Sequence, residues 1–304
     1  MKGVRRQTRT VYSREISLLM TESRTNPIDV REHEPFIVCR LCGAQAELVW
    51  TDKLLGRYQV GYYRCGECES LMTERPTWTE EAYGSTSRPT DVAAAGRADQ
   101  YRVLIFWLWK FFHFRENDRL LDWGGGDGLL VRKLRDDGIN ALLYDEYTKN
   151  NYAIGFEGDP NEHFSMITSF EVWEHLTDPR TDLQLVFAHQ PDALLISTQL
   201  YRGQDKTWPY LAAWSGRHVF FWSPKAMEKV GELFGYNVVV GTSNALFYRP
   251  QLVGRIRRWL LKPSLALHGT RVKRLFWVLW PKRSLRAHDR AIMARQFEGN
   301  VIDA

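Results

Sequence analysis

The segment Asp-Trp-Gly-Gly-Gly-Asp-Gly at residues 122–128 has the residue types that could bind a nucleoside. It follows a short apolar run ending at Leu121 and precedes an apolar helical pattern starting at Leu129. This order predicts a strand, a glycine turn and a helix. Glycines can adopt positive φ angles and leave bare backbone against which a ligand can lie. The segment is therefore a candidate nucleoside-binding corner of an α/β sheet.

The spacing of these glycines, together with the acids beside them, narrows the choice of ligand. A dinucleotide-binding turn has the pattern Gly-x-Gly-x-x-Gly, but counting from Gly124 the last glycine position is occupied by Leu129. Asp122 and Asp127 would repel a pyrophosphate and suit a ligand that carries an ammonium and a sulfonium. The turn therefore predicts a site for S-adenosylmethionine. Its candidate residues are Asp122, Trp123, Gly124, Gly125 and Gly126.

An acid at the end of the second predicted strand fits the same ligand. The strand Ala141–Tyr144 is followed by Asp145, 21 residues beyond Gly124. An acid about 20 residues after the turn is placed to bind the ribose hydroxyls. A solvated acid at a strand end is the alternative. No clear strand is predicted between Asp145 and Phe164, so the adenine contact is not assigned.

The four cysteines form two Cys-x-x-Cys pairs separated by 22 residues. This spacing places two thiolates of each pair on one metal ion, and four sulfurs complete a tetrahedral zinc site with no open position. Two disulfides or four unrelated thiols are the alternatives, and a cytoplasmic protein disfavours disulfides. A closed site predicts a role in folding or substrate docking. The candidate ligands are Cys39, Cys42, Cys65 and Cys68.

The length and charge of the chain indicate its organisation. Its 304 residues accommodate one α/β domain and a small module. The net charge of +5 is uneven, because residues 251–304 carry twelve Lys and Arg against three Asp and Glu. The basic N-terminus lacks the apolar stretch of a secretory signal, and Val103–Trp109 is far shorter than the about 20 residues that span a bilayer. We therefore expect a cytoplasmic protein.

Five regions are predicted along the chain. Strands and helices alternate between residues 101 and 250, which indicates a doubly wound α/β sheet with its ligand at the carboxyl ends of the strands. The regions are a basic, disordered N-terminus (1–35), a zinc ribbon (36–75), a connector (76–100), the α/β domain (101–250) and a basic helical tail (251–304).

Residues 36–249 resemble a known enzyme class. The glycine turn, the strand-end acid and the segment Phe-Glu-Val-Trp-Glu-His-Leu-Thr-Asp-Pro at 170–179 resemble class I S-adenosylmethionine-dependent methyltransferases. That segment is similar to ubiquinone-type O-methyltransferases and to bacterial surface-glycan methyltransferases. The ribbon resembles the one ahead of deoxysugar C-methyltransferases and related enzymes of polysaccharide biosynthesis, although the chain is too short for the large C-terminal domain of the former.

The resemblance implies a Rossmann-like sheet of seven strands and a methyltransferase that acts on a sugar, either nucleotide-linked or in a surface polysaccharide or glycolipid. It also implies that Phe170 and Glu171 contact the cofactor at a strand tip. The alternatives are O-methylation of a small aromatic or quinone acceptor, methylation of RNA, and a binding module on an inactive fold. The ribbon argues against the quinone acceptor, and the intact glycine turn argues against the inactive fold.

Methyl transfer to a hydroxyl or an acidic carbon is an in-line displacement in which the acceptor loses a proton, so a general base is expected. His218 is the first candidate, because relatives that modify sugars carry a similar segment in the acceptor pocket and imidazole titrates near neutral pH. A structural histidine is the alternative. Glu174 and His175 follow Glu171 within one turn and are the other candidates. Their alternative role is structural, with Glu174 as an acid at a helix N-terminus and His175 as a packing histidine.

Aromatic side chains mark two further regions. Tyr201, Trp208, Tyr210 and Trp214 could stack on sugar or base rings or pack within a lid. In the tail, apolar residues at helical spacing alternate with Lys and Arg. Residues 251–283 could therefore contact a membrane surface peripherally, at the inner face of the membrane, or pack on the domain. Nucleic-acid contact is the least favoured alternative.

Overall fold

The computed structural model describes residues 33–84, 94–159, 162–254, 261, 265 and 271–297. Most of the N-terminus predicted to be disordered, and most of the first predicted tail helix, lie outside these residues. The described chain forms a small antiparallel sheet that carries the four cysteines and a larger mixed sheet flanked by helices.

The smaller sheet has five strands in the order β1-β2-β3-β4-β9. A long hairpin, β2–β3, forms its centre and turns through Leu55 and Gly56, both at positive φ. The fifth strand comes from much later in the chain, so the ribbon is completed by the α/β domain. The strands are β1 (Phe36–Val38), β2 (Gln45–Leu54), β3 (Tyr58–Cys65), β4 (Leu71–Thr73) and β9 (Phe220–Phe221).

The larger sheet has the order β10-β11-β8-β7-β5-β6. Its strands β6, β5, β7 and β8 run parallel, and β11 pairs antiparallel with both β8 and β10. The inner strands are buried and mostly apolar, because helices cover both faces of the sheet, and their polar residues include Asp122 and Thr168. The strands are β5 (Arg119–Trp123), β6 (Asn140–Tyr144), β7 (Met166–Phe170), β8 (Ala193–Ser197), β10 (Asn237–Val240) and β11 (Asn244–Tyr248).

The helices connect and cover these strands. The predicted α/β class is confirmed, but the region predicted as a connector contains α1 and the first residues of α2. Helix α3 follows the glycine turn, and α5 begins after Ser223, whose hydroxyl accepts the backbone N–H of Ala226. The helices are α1 (Thr79–Gly84), α2 (Ala94–Phe111), α3 (Leu129–Asp136), α4 (Pro179–Ala188), α5 (Pro224–Phe234), α6 (Arg271–Leu279) and α7 (Arg286–Phe297).

The described residues contribute six strands to the larger sheet, where the resemblance implied seven. A single parallel bridge between Leu143 and Glu157 lies beside β6, at the edge of the sheet. A Cβ at Gly158 would lie 2.4 Å from Cδ1 of Leu121. Only a residue without a side chain therefore lets the backbone pass this close to the sheet. The preceding residues form turns, which accounts for the absence of a clear strand pattern in the sequence.

The basic tail packs on the α/β domain. The indole N–H of Trp277 donates to the Asp137 carboxylate at 2.8 Å, and the Arg102 guanidinium lies over the same indole. Asp289 of α7 accepts two hydrogen bonds from the buried Arg135 of α3. At these residues the tail therefore packs on the α/β domain, which was one of the two roles predicted for it. Among the described helices, none combines the length and apolar character needed to cross a membrane.

Candidate active site

The glycine turn has a geometry that side chains would prevent. Gly124 has a φ of +72°, and its N–H donates to the Tyr144 carbonyl at 2.7 Å. A Cβ at Gly124 would lie 2.5 Å from Cγ2 of Val172. Gly126 has a φ of +63°, and a Cβ at Gly126 would meet nothing within 4 Å, so this side of the turn is open. The open backbone is the surface that we predicted for the cofactor.

Asp122 lies beneath the turn. Its carboxylate accepts the Thr168 hydroxyl at 2.6 Å, and a Cβ at Gly125 would lie 2.5 Å from its Oδ2. Burial, together with the nearby charge of Asp145, raises the pKa of Asp122 to about 7, although the Thr168 hydrogen bond opposes the shift. The Asp122 carboxyl therefore lies against the turn and is only partly ionised near neutral pH.

Asp145 bridges the turn and the loop that follows β6. One carboxylate oxygen accepts the N–H of Gly126 at 2.8 Å. The other accepts the N–H groups of Tyr147 and Thr148 at 2.9 and 2.7 Å. The acid is therefore held at the edge of the sheet beside the glycine turn, which is where a ribose-binding acid is needed.

The three remaining cofactor candidates lie at strand ends. Trp123 ends β5 and contacts the Tyr144 ring, and Phe170 ends β7 and stacks on Tyr101 with ring centres 3.9 Å apart. Glu171 has a φ of +54°, a left-handed conformation that is strained for a residue with a side chain. Its carboxylate accepts the Ser197 hydroxyl at 2.8 Å, which points it toward the neighbouring strand end.

The three catalytic candidates come together in space. Glu174, His175 and His218 each place one ligand atom within 4.8 Å of the other two. Glu174 and His175 belong to a 3₁₀ turn just after β7, and His218 precedes β9. Val172, in contact with the Gly124 position, lies two residues before Glu174. The cluster is therefore next to the glycine turn.

Glu174 is completely buried and only partly paired. Its Oε1 accepts the Tyr210 hydroxyl at 2.6 Å. Its Oε2 has no hydrogen-bond partner among the described residues. Burial, together with the charge of the nearby Glu171, raises the pKa of Glu174 to about 8. A buried carboxylate with one open oxygen favours an added proton or cation.

Both imidazoles are oriented by backbone carbonyls. Nδ1 of His218 lies 2.6 Å from the Tyr210 carbonyl oxygen, and Nδ1 of His175 lies 3.0 Å from that of Arg217. A carbonyl can only accept, so each Nδ1 donates the proton of this hydrogen bond. Burial lowers the pKa of both rings, that of His218 to about 4. The two rings are therefore neutral at physiological pH.

The four cysteines also lie together. Sγ of Cys39 is 3.6 Å from that of Cys68, and Sγ of Cys42 is 3.5 Å from that of Cys65. Each of these short distances joins one cysteine of the first Cys-x-x-Cys motif to one of the second, and all four sulfurs lie within 4.8 Å of one another. The cluster could hold a metal ion.

Comparison with known proteins agrees with this geometry. Residues 97–240 match the family model described as a methyltransferase domain. These residues form a methyltransferase domain. The match spans the glycine turn, Asp145 and the Glu174–His175–His218 cluster, so the methyltransferase domain contains every predicted cofactor and catalytic residue. No curated protein matches the chain.

Several solved methyltransferases are similar to this one. The methyltransferase domain of bacterial CtHen1-C is 17% identical with a TM-score of 0.35, over 50% of this chain and 98% of that chain. Magnesium protoporphyrin IX methyltransferase (ChlM) from Synechocystis PCC 6803 is 13% identical with a TM-score of 0.36, over 56% and 92%. Human N-acetylserotonin methyltransferase is 12% identical with a TM-score of 0.35, over 58% and 63%.

Sequence reasoning missed the side chains that hold the two acids. Tyr210 was predicted either to stack on a ring or to pack within a lid, and its hydroxyl donates to Glu174. The Tyr101 hydroxyl donates to Ser197, which donates to Glu171. Tyr101 lies among many apolar residues of α2, and no local signal separates it from its neighbours. Of the four aromatics between residues 201 and 214, three pack near the ribbon and Trp214 is exposed.

Proposed function

We propose that this methyltransferase transfers its methyl group to a hydroxyl of a sugar, either nucleotide-linked or in a surface polysaccharide or glycolipid. The observation that carries the proposal is the Glu174–His175–His218 cluster, three proton-accepting side chains beside the glycine turn. An acceptor that must lose a proton needs such a group, whereas an uncharged amine does not. The ribbon ahead of the domain supports the choice of a sugar over other hydroxyl acceptors.

In the proposed reaction the acceptor oxygen forms a bond to the methyl carbon as the carbon–sulfur bond breaks. S-adenosylhomocysteine leaves, and the hydroxyl proton passes to the cluster. Holding the two reactants in line is worth about 7–11 kcal/mol in favourable cases. The glycine turn and Asp145 would position the cofactor, and the cluster would position the acceptor.

The structure changes which residue we favour as the proton acceptor. His218 was the first candidate, but its pKa of about 4 makes it a weak base. Glu174, with a pKa of about 8, is better matched to neutral pH, where a general base typically contributes about 10²–10⁴-fold. We therefore propose Glu174 as the proton acceptor and the two imidazoles as groups that hold the acceptor hydroxyl or a cation bound to it.

As an alternative to proton transfer onto Glu174, we propose that the cluster binds a divalent cation. One carboxylate oxygen of Glu174 and one ring nitrogen each of His175 and His218 lie within 4.8 Å of one another, and Oε2 of Glu174 has no hydrogen-bond partner among the described residues. Histidines that bind metals usually donate their other N–H to a carbonyl or carboxylate, as both rings do here. Two imidazoles and one carboxylate leave open coordination positions. A bound cation would lower the pKa of an acceptor hydroxyl, and two adjacent sugar hydroxyls could share it.

The four cysteines are proposed to bind structural zinc. Zinc–sulfur bonds of about 2.3 Å in a tetrahedron place sulfurs about 3.8 Å apart, close to the observed 3.5 and 3.6 Å. Four thiolates leave no position for a reacting water. Elemental analysis of purified protein should find one zinc per chain, and Cys42→Ser should lose it. Full-length protein that is folded and free of zinc would contradict the assignment.

The tail is proposed to contact an anionic membrane surface. Leu275, Val278 and Leu279 are exposed on α6, the exposed Arg274 lies on the same helix, and the neighbouring Trp280 is also exposed. Apolar side chains beside cations suit the boundary between headgroups and acyl chains. A lipid-linked glycan would place the acceptor at the same surface.

Label transfer tests the acceptor directly. Protein and methyl-labelled S-adenosylmethionine are incubated with extract of the native host, which is then divided into nucleotide-sugar, lipid-glycan, small-phenol and RNA fractions. Label in either glycan fraction, absent with a Glu174→Gln enzyme, is the expected result. Label confined to phenols or RNA would overturn the sugar assignment in favour of the alternative acceptors.

A further inference from the structure

The ribbon sheet contains a strand of the methyltransferase domain that adjoins the proposed acceptor site. β9 pairs with β4 through Phe220 with Met72 and Phe221 with Leu71. His218 lies two residues before β9. The cysteine-bearing module and the segment that carries His218 therefore belong to one hydrogen-bonded sheet.

Arg40 connects the first cysteine pair to that segment. It lies between Cys39 and Cys42, and its guanidinium donates one hydrogen bond to the Thr73 carbonyl at 2.8 Å and another to the Val219 carbonyl at 2.7 Å. The Thr73 N–H donates to the same Val219 carbonyl at 3.1 Å. Arg40 thus fixes the residue next to His218.

The second cysteine pair holds the other end of the segment. The Ser223 hydroxyl donates to the Cys68 carbonyl. On the side away from the ribbon, the Val219 N–H donates to the Glu174 carbonyl at 2.9 Å. The segment 219–223 is therefore held between the two cysteine pairs and the turn that carries Glu174.

We propose that the metal-loaded ribbon positions His218 in the acceptor site, with Arg40 as the positioning residue. A structural metal orders the loops that carry its ligands, and here those loops present the Arg40 guanidinium and the Cys68 carbonyl. The idea rests on the proposed function for its catalytic consequence. It gives the ribbon a role beyond folding or substrate docking, because a displacement of the cysteine-bearing loops would move His218.

The cofactor side of the site has a separate support. Gly124 is held by the Tyr144 carbonyl at the end of β6, and Gly126 by Asp145. These contacts belong to the larger sheet. Loss of the Arg40 contacts should therefore disturb His218 and leave the affinity for S-adenosylmethionine unchanged, a combination that general destabilisation would not produce.

The test compares full-length, zinc-loaded protein with Arg40→Ala and Arg40→Lys variants, and with Arg64→Ala as a control on an exposed ribbon arginine. Zinc content and cofactor affinity are measured first. The imidazole resonances of His218 are then followed by NMR of ¹⁵N-histidine protein, assigned with His218→Ala, and Mn²⁺ affinity is measured by titration.

We expect Arg40→Ala to keep its zinc and its cofactor affinity, to shift the His218 resonances and to weaken Mn²⁺ binding about 10-fold, the usual cost of losing a group that orients a ligand. Arg40→Lys, which can keep one carbonyl contact, should recover part of both. Unchanged His218 resonances in Arg40→Ala, or an equal change in Arg64→Ala, would overturn the proposal.

Two outcomes separate this proposal from the proposed function. If wild-type protein binds no Mn²⁺, the cation assignment fails, while the His218 resonances still decide whether Arg40 positions the ring. If Arg40→Ala does not fold, the Arg40→Lys spectrum decides. Resonances identical to those of wild type would then count against the proposal, and a shift with intact cofactor binding would support it.

Discussion

Replacing Asp122 by Asn should make the protein more stable at alkaline pH. The carboxyl is buried beneath the glycine turn, where its pKa rises from 3.8 to about 7. A raised pKa means that the native state keeps a proton which the unfolded chain has lost. The contribution of Asp122 to stability is therefore greatest below about pH 4 and is lost as the pH rises through about 7. Asparagine keeps the oxygen that accepts the Thr168 hydroxyl but cannot ionise.

The magnitude follows from the shift. Raising the pKa from 3.8 to about 7 costs about 4 kcal/mol once the group is ionised. About two units of this shift lie between pH 5 and pH 7. From about pH 5 to pH 8, the unfolding free energy of Asp122→Asn should therefore rise by about 3 kcal/mol relative to that of wild type. Denaturant unfolding of cofactor-free, zinc-loaded protein measures the difference, with Asp127→Asn at the same turn as the control. Parallel pH profiles for wild type and Asp122→Asn would refute the reasoning.

Three further results are expected. Asp145→Ala should weaken S-adenosylmethionine binding at least about tenfold in calorimetry, because a charged hydrogen-bond acceptor is lost, and an unchanged affinity would count against the ribose assignment. Asp289→Ala should lower unfolding free energy by about 3 kcal/mol, because it leaves the buried Arg135 guanidinium without its carboxylate; a change near zero would show that α7 is not anchored there. Leu279→Ser should reduce sedimentation with anionic vesicles while leaving the midpoint of thermal unfolding unchanged. Equal sedimentation of the variant and wild type would exclude the exposed face of α6 as the membrane-contacting surface.

The parts of the site that the sequence predicted are local. The glycine turn, the following helix and Asp145 each depend on residues that are close in the chain, so their types and spacing are enough to place them. The two cysteine pairs are also local, and their fixed spacing is what suggested that they share one ion.

The parts that were missed depend on contacts between distant residues. The strand β9 has only two residues, Phe220 and Phe221, which is too short for any periodic pattern, and its partner β4 lies about 150 residues earlier. The low pKa of His218 likewise comes from burial by the surrounding chain and from the neighbouring His175, neither of which appears in the local sequence. The sequence therefore named all three members of the cluster, but the burial on which we base the proposal of Glu174 as proton acceptor has no local signal.

The central claim is that Glu174, His175 and His218 form one cation-binding acceptor site. Titration of zinc-loaded protein with Mn²⁺, followed by electron paramagnetic resonance, tests it without knowledge of the acceptor. The account expects one Mn²⁺ site per chain in wild type and in the exposed-histidine control His288→Ala, and loss of that site in His218→Ala. No Mn²⁺ binding by wild type, or equal binding by His218→Ala, would contradict it.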